Sequence, residues 1–216
     1  MGPIYIGVDL GTTLRRKSTG IASLVQKDNM PCILTLPEHI ISDDELIRSA
    51  ISAFTGNSAE IIIGIDAPLS KPSHGTMREC EKRLRKHGIA CYPSGSEWVS
   101  NWVDKGIALR EWAENELGAK AIEVYPYAAR RKMDIGALEK KKRKKGRKVI
   151  QTGLYPVISG LDGITGEKLL SDDELDAILS AYTAYCEGTG FAIEIDGEDG
   201  SIYIPQKRRN NMISEY

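Results

Sequence analysis

Four aspartates in this chain have the placement that divalent-metal chemistry needs. Asp9 closes the apolar run Ile4-Tyr5-Ile6-Gly7-Val8, and Asp66 closes a second one, Ile61-Ile62-Ile63-Gly64-Ile65. Far along the chain, Asp173 and Asp176 stand three residues apart in a segment of helical spacing, and so share a helix face. A carboxylate buried beside a core strand is unfavourable unless it is paired or binds a cation. Asp9 alone could be a local turn residue. Matching acids at a second strand end and on a helix favour a shared site. Two carboxylates about 4 Å apart repel by about 4 kcal/mol at an effective dielectric of about 20, and a divalent cation relieves that repulsion. An all-oxygen ligand set selects Mg²⁺ or Mn²⁺ rather than zinc. A pair of such ions can activate water and stabilise the leaving oxygen in phosphodiester cleavage.

The elements that must position these acids are readable in outline. Residues 4–9, 19–26 and about 31–37 read as three consecutive strands with short polar links, an antiparallel meander. Ser42, three residues before Glu45, forms a capping box for a helix carrying Leu46, Ile47, Ala50, Ile51 and Phe54, which Gly56 stops. Residues 60–66 form a strand apolar on both faces, as a central parallel strand is. The right-handed crossover leading to it sets Asp9 and Asp66 at one sheet edge. Residues 67–97 read as an excursion over that edge, containing a basic helix from about Thr76 to Lys86, and a helix follows from Trp98 to Leu117. The tryptophans Trp98, Trp102 and Trp112 fit packing roles, with base stacking as the alternative. Residues 121–126 read as a short strand containing Glu123, and 149–160 as a short helix. Ser171 and Glu174 form a second capping box. Capping and the helix dipole account for some of the acids behind Ser171 but not for Asp176. Ala177, Ala181 and Ala184 let that helix approach a sheet closely. Residues 191–205 read as a hairpin around Asp196-Gly197-Glu198-Asp199-Gly200.

The 216 residues suit one domain, 1–216, with the helical insertion at about 67–117 and the C-terminal hairpin as its additions. A net charge of −1 excludes binding of nucleic acid by bulk charge, so any such contact must be local. Two local sources exist. The first is the basic helix, with Arg78 and Lys82. The second is the run Lys140, Lys141, Lys142, Arg143, Lys144, Lys145, Gly146, Arg147, Lys148, in which eight of nine residues are cationic. A run of like charge is either a solvated segment or a phosphate-contacting one. The four cysteines form no CxxC pair and do not group with histidine, which argues against zinc and for a reducing, cytoplasmic setting. No apolar run approaches the about 20 residues that span a bilayer, so no membrane partner is expected.

The order of these pieces resembles the ribonuclease H-like fold: an α/β mixed sheet of a three-strand antiparallel meander plus parallel strands, flanked by helices. The Asp173-x-x-Asp176-Ala177 helix start looks like that of the Holliday-junction resolvases. More closely, the chain is similar to the family called domain of unknown function 429 (DUF429), predicted nucleases of that fold. The shared pieces are Gly7-Val8-Asp9, Ile65-Asp66-Ala67-Pro68-Leu69, the Arg78 to Gly88 helix, Glu123-Val124-Tyr125-Pro126, Leu175-Asp176-Ala177 and Gly200-Ser201-Ile202-Tyr203-Ile204-Pro205. The resemblance implies a Mg²⁺- or Mn²⁺-dependent nuclease, with Asp9, Asp66, Asp173 and Asp176 as its catalytic acids and metal ligands and nucleic acid as its partner. It also implies a role for Glu123, either as a further ligand or as the partner of the basic helix through Arg78. Likeness to the junction resolvases suggests a homodimer.

Two other readings start from the same residues. Asp9-Leu10-Gly11-Thr12-Thr13 also resembles the first phosphate loop of the sugar kinase, actin and chaperone superfamily, which binds ATP. That superfamily uses two such domains, and no second loop of this kind follows here. The third reading is a non-catalytic ribonuclease H-like interaction protein.

Overall fold

The computed structural model describes residues 2–11, 18–41, 43–56, 58 and 60–206. Its centre is a mixed sheet in the order β3-β2-β1-β5-β6 (Met30–Ile33, Ser18–Lys27, Ile4–Asp9, Ile61–Ile65, Lys120–Glu123), with β4 (Glu38–Ile41) paired to the start of β2. The meander β1-β2-β3 is antiparallel, whereas β5 joins β1, and β6 joins β5, in parallel. This is the mixed sheet, an antiparallel meander plus parallel strands, expected from the sequence. The expected third strand at 31–37 is instead two short ones. β3 ends at Ile33, and β4 pairs with the far end of β2, Ser18 opposite Ile41.

Helices cover both faces. On one, α1 (Asp44–Thr55) and α3 (Ser100–Leu117) close a core of Ile6, Val8, Ile21, Ile63, Ile65, Ile47, Ile51 and Leu109. On the other lies α7 (Asp172–Gly188), itself covered by α4 (Pro126–Met133), α5 (Lys144–Leu154) and the β7-β8 hairpin (Ala192–Ile195, Ile202–Pro205). α2 (Glu79–Lys86) packs beside the hairpin, and α6 (Leu161–Thr165) leads into α7. α7 is therefore buried on all sides, which explains why apolar and small residues wrap its whole circumference.

The helix starts follow local chemistry. Ser171 Oγ accepts the Glu174 N–H at 3.1 Å while the Glu174 carboxylate accepts the Ser171 N–H at 2.7 Å, the capping box read from the sequence. At α1 the cap is Asp43, whose Oδ1 accepts the N–H groups of Glu45 and Leu46; Ser42 lies outside the described residues. Gly56 ends α1 with a positive φ. The strand expected at 121–126 stops at Glu123, because Pro126 opens α4 from its first turn, the one helical site where a missing N–H costs nothing. The helix expected at 149–160 starts earlier, at Lys144, so half of the basic run is helical.

One seam fixes α7 on the sheet. Residues 5, 7 and 9 of β1 and 62, 64 and 66 along β5 point to the same side, since side chains alternate along a strand. Gly7 and Gly64 are register partners. A Cβ on Gly7 would fall 2.9 Å from Ala181 Cα and closer still to the Ala177 carbonyl, and one on Gly64 would fall 2.5 Å from the Ser180 carbonyl oxygen. Gly20 of β2 meets the backbone of Asp173 in the same way. The glycines let the helix backbone rest directly on the strands. Gly7→Ala should cost about 2–3 kcal/mol, the upper range for forcing extra volume into a packed interior. Gly163→Ala, where nothing lies within 4 Å of the new Cβ, should be near neutral. Urea unfolding of both variants checks this, and equal midpoints would show that the seam can relax.

Candidate metal centre

The strand parity that aims Gly7 and Gly64 at α7 also aims Asp9 and Asp66 at it, two residues further on. β1 ends at Asp9, and the Asp66 N–H extends the ladder by donating to the Val8 carbonyl at 2.8 Å. Asp176 comes from the first turns of α7, one residue before the Ala177 that meets Gly7. One carboxylate oxygen from each of Asp9, Asp66 and Asp176 lies within 4.8 Å of the others. Asp9 and Asp176 are buried and Asp66 is half-buried, so the cluster opens toward solvent on the Asp66 side. Lys141, from the basic run, reaches into it and forms an ion pair with Asp176 Oδ2.

The other acids read as site residues lie elsewhere. Asp173 accepts the Ser18 hydroxyl at 2.6 Å and stands 3.2 Å from His39 Nε2, tying the start of α7 to β2 and β4. Although Asp173 and Asp176 share a helix face, their directions differ by about 60° at a spacing of about 100° per residue, enough to send one to each side of β2. Glu123 has the second of the two roles left open for it. The Arg78 guanidinium holds it through two bonds of 2.7 and 2.5 Å, and it accepts the Leu69 N–H at 2.8 Å.

That makes Arg78 something other than the surface phosphate contact expected of it. It is 1% exposed and donates also to Glu81 and to Ser70 Oγ. Burial works against its charge, but the bonds and proximity of Glu123 outweigh it and hold Arg78 protonated. Burial likewise pushes the Glu123 carboxyl up, opposed by Arg78 and the Leu69 N–H. The resulting network anchors the segment Ala67-Pro68-Leu69 that leaves Asp66. α3 secures the same segment from the opposite side. Gly106 packs within 2.6 Å, Cβ position to oxygen, of the Pro68 carbonyl, and Arg110 donates to the Leu69 carbonyl at 2.8 Å. Asp66 is thus a loop residue with the placement of a strand residue.

Other expected cations are where a polyanion could meet them. Lys82 is exposed on α2, beside Glu79. Lys140, Lys142, Arg143, Lys144, Lys145 and Lys148 are exposed, and Arg147 and Lys141 are half-buried. Arg143 caps α5 and Lys144 and Lys145 open it. Cations at a helix N-terminus oppose the helix dipole, so this end of α5 is a concentrated positive field beside the acids. Gly146 is buried because α5 turns tightly over the Lys140 carbonyl. On the rival reading, the Gly11 N–H that would cradle a phosphate donates to Thr19 Oγ1 at 3.1 Å; Thr12 and Thr13 lie outside the described residues.

A family model described as a protein of unknown function, DUF429, matches residues 7–197. Among solved structures, the chain is similar to T. thermophilus RuvC in complex with Holliday junction substrate, at 8% identity and a TM-score of 0.49. It is similar to a second Thermus thermophilus RuvC structure at 8% identity and a TM-score of 0.47. Both matches cover 87% of this chain and 96% of that one. None of the curated proteins compared matches the chain.

Removing Arg78 tests the anchoring network. Arg78→Met strips the cation from two buried carboxylates and should destabilise the protein by about 3–5 kcal/mol. Pairing it with Glu123→Gln should recover part of that loss, with a coupling above about 1 kcal/mol in a double-mutant cycle. Strictly additive losses would show that the two side chains act independently.

Proposed function

The chain belongs to the DUF429 family of proteins of unknown function, and we propose that it is a divalent-metal-dependent nuclease that hydrolyses phosphodiester bonds in nucleic acid. The observation that carries this reading is the convergence of Asp9, Asp66 and Asp176, with oxygens within 4.8 Å of one another, at the rim of the sheet. Three carboxylates so close repel unless cations join them, and the Lys141 ammonium already drawn onto Asp176 supports the cluster as a cation site. The donors are all hard oxygens, which fits Mg²⁺ or Mn²⁺.

Bound there, such ions would supply an activated water and neutralise charge on the leaving oxygen. The chain's own residues do the rest. Asp9 and Asp176, buried and opposed across the glycine seam, hold the inner face of the centre. Asp66, half-buried, faces the side from which a substrate enters. Asp173 acts on the centre through its fixing of the α7 start. Lys141 stands where it can pass from Asp176 to a phosphate oxygen once cations occupy the acids. Lys82 and the exposed cations of residues 140–148 contact flanking phosphates, which is why a protein of net charge −1 can hold a polyanion. A basic run placed beside the acids favours a phosphodiester substrate over a small nucleotide.

Two measurements test the reading. A Mn²⁺ titration followed by calorimetry, alongside cleavage of single-stranded, duplex and branched DNA and RNA, should show binding and turnover in the wild type. Asp9→Asn should lose at least about tenfold in metal affinity and all detectable cleavage. Wild-type turnover in excess EDTA would refute the proposal, and ATP-dependent phosphorylation in the same assays would favour the kinase reading. For the cations, log affinity for duplex DNA should fall with log salt by about 0.9 per phosphate neutralised. Changing Lys142, Lys144, Lys145 and Lys148 to serine should flatten that slope by about 2–4. An unchanged slope would reduce the run to a solvated segment.

A further inference from the structure

A shallow groove opens next to the acids, and one of its walls is Asp66 itself. Its lining includes the aromatic rings of Tyr92, Trp102 and Tyr125, together with the buried Arg78 and both of its carboxylate partners, Glu81 and Glu123. At its rim Tyr92 and Trp98 form an edge-to-face pair, with ring centroids 5.1 Å apart. They are 62% and 64% exposed, whereas Trp102 and Trp112 pack on the core. Two neighbouring exposed rings beside a groove offer faces on which a flat ligand can stack. The rim is also cationic: Arg85 donates to the carbonyl of Cys91, the residue before Tyr92, and Lys82 and Lys86 are exposed on the same helix.

We propose that this groove is a subsite for an unpaired nucleobase, in which Tyr92 and Trp98 stack the base next to the phosphate held at Asp9, Asp66 and Asp176. This rests on the nuclease reading above and names its substrate class: nucleic acid with a single-stranded segment at the cleavage point. Asp66 belongs to both the acid cluster and the groove wall, so the nucleoside adjoining a phosphate at the acids reaches the aromatic rings. Bases inside a duplex are stacked on one another and unavailable to such a surface. Aromatic stacking accepts every base, and the cationic rim suits the phosphates on either side.

The test measures binding apart from turnover. In an Asp9→Asn background, fluorescence anisotropy and 2-aminopurine quenching are followed for single-stranded DNA, single-stranded RNA and a blunt duplex. The variants are Tyr92→Ala, Trp98→Ala and Tyr92→Phe, all at exposed positions, with thermal melts confirming the fold. Single-strand affinity should fall about 5- to 100-fold on removing either ring, the loss of one stacked base. Quenching should vanish, Tyr92→Phe should keep both, and duplex affinity should change less than about twofold. The DNA and RNA arms show which strand is preferred. Unchanged single-strand binding in the alanine variants overturns the subsite even if the Tyr92 and Trp98 wild type cleaves. Conversely, ring-dependent binding without cleavage by the wild type upholds the subsite and rejects the nuclease. If the alanine variants instead shift the sedimentation of the free protein and leave oligonucleotide binding unchanged, the rings form a self-association face and the proposal falls.

Discussion

The closeness of α7 to the sheet governs everything else in this protein. Three strands present glycine where the helix crosses, and the helix answers with Ala177, Ser180 and Ala181. The contact is backbone against backbone, with no side-chain layer between. Such a contact cannot be adjusted by choosing another rotamer, so it fixes the height and rotation of α7 on the sheet. Asp176 inherits that placement because it adjoins Ala177, and Asp9 inherits it because it lies two residues beyond Gly7. These two inner carboxylates sit on regular structure, and the third sits on a loop secured from both sides by Glu123 and α3.

The buried acids fall into two kinds. Glu123 and Glu174 each meet a cation and backbone or hydroxyl donors, Arg78 and Leu69 for the first, Lys168 and Ser171 for the second. Burial raises the Glu174 carboxyl, yet Lys168 and Ser171 outweigh it and bring it below its ordinary range. These acids hold elements together. Asp9, Asp66 and Asp176 instead meet across a shared space, with a lysine from the surface run reaching in. Carboxylates matched to fixed cations hold elements together, and carboxylates gathered on one another form a candidate metal site.

Much of this was legible in the sequence. The two aspartates at strand ends, and the crossover joining their strands, placed the first half of the cluster, and the Ser171 box with small residues behind it placed the helix that supplies the rest. The separation of Asp173 from Asp176 was not legible, because a spacing of three says that residues share a face but not which strand lies beneath each. Composition does not separate Arg78 from its basic neighbours; the family resemblance did, by offering it as the partner of Glu123, a carboxylate 45 positions away. Gly7, Gly20 and Gly64 were visible signals, three glycines within β-branched strands, which elsewhere weaken a strand and here admit a helix. β4 escaped because Glu38 and His39 interrupt its apolar pattern, and α4 because Pro126 reads as a strand end before it reads as a helix start.

The hairpin beyond α7 returns to the middle of the chain. Its tip sets Asp199 under the start of α2, accepting the Glu79 and Ser73 N–H groups, and its Gly200 lies against Ser70. The acids and their supports therefore come from the first, middle and last parts of the polypeptide. During synthesis, β1 and β5 leave the ribosome carrying two acids but no third, and the α2 segment lacks its cap until the hairpin follows. The third acid is therefore the last to be made, and the cluster closes only when α7 comes down on strands that were synthesised long before it.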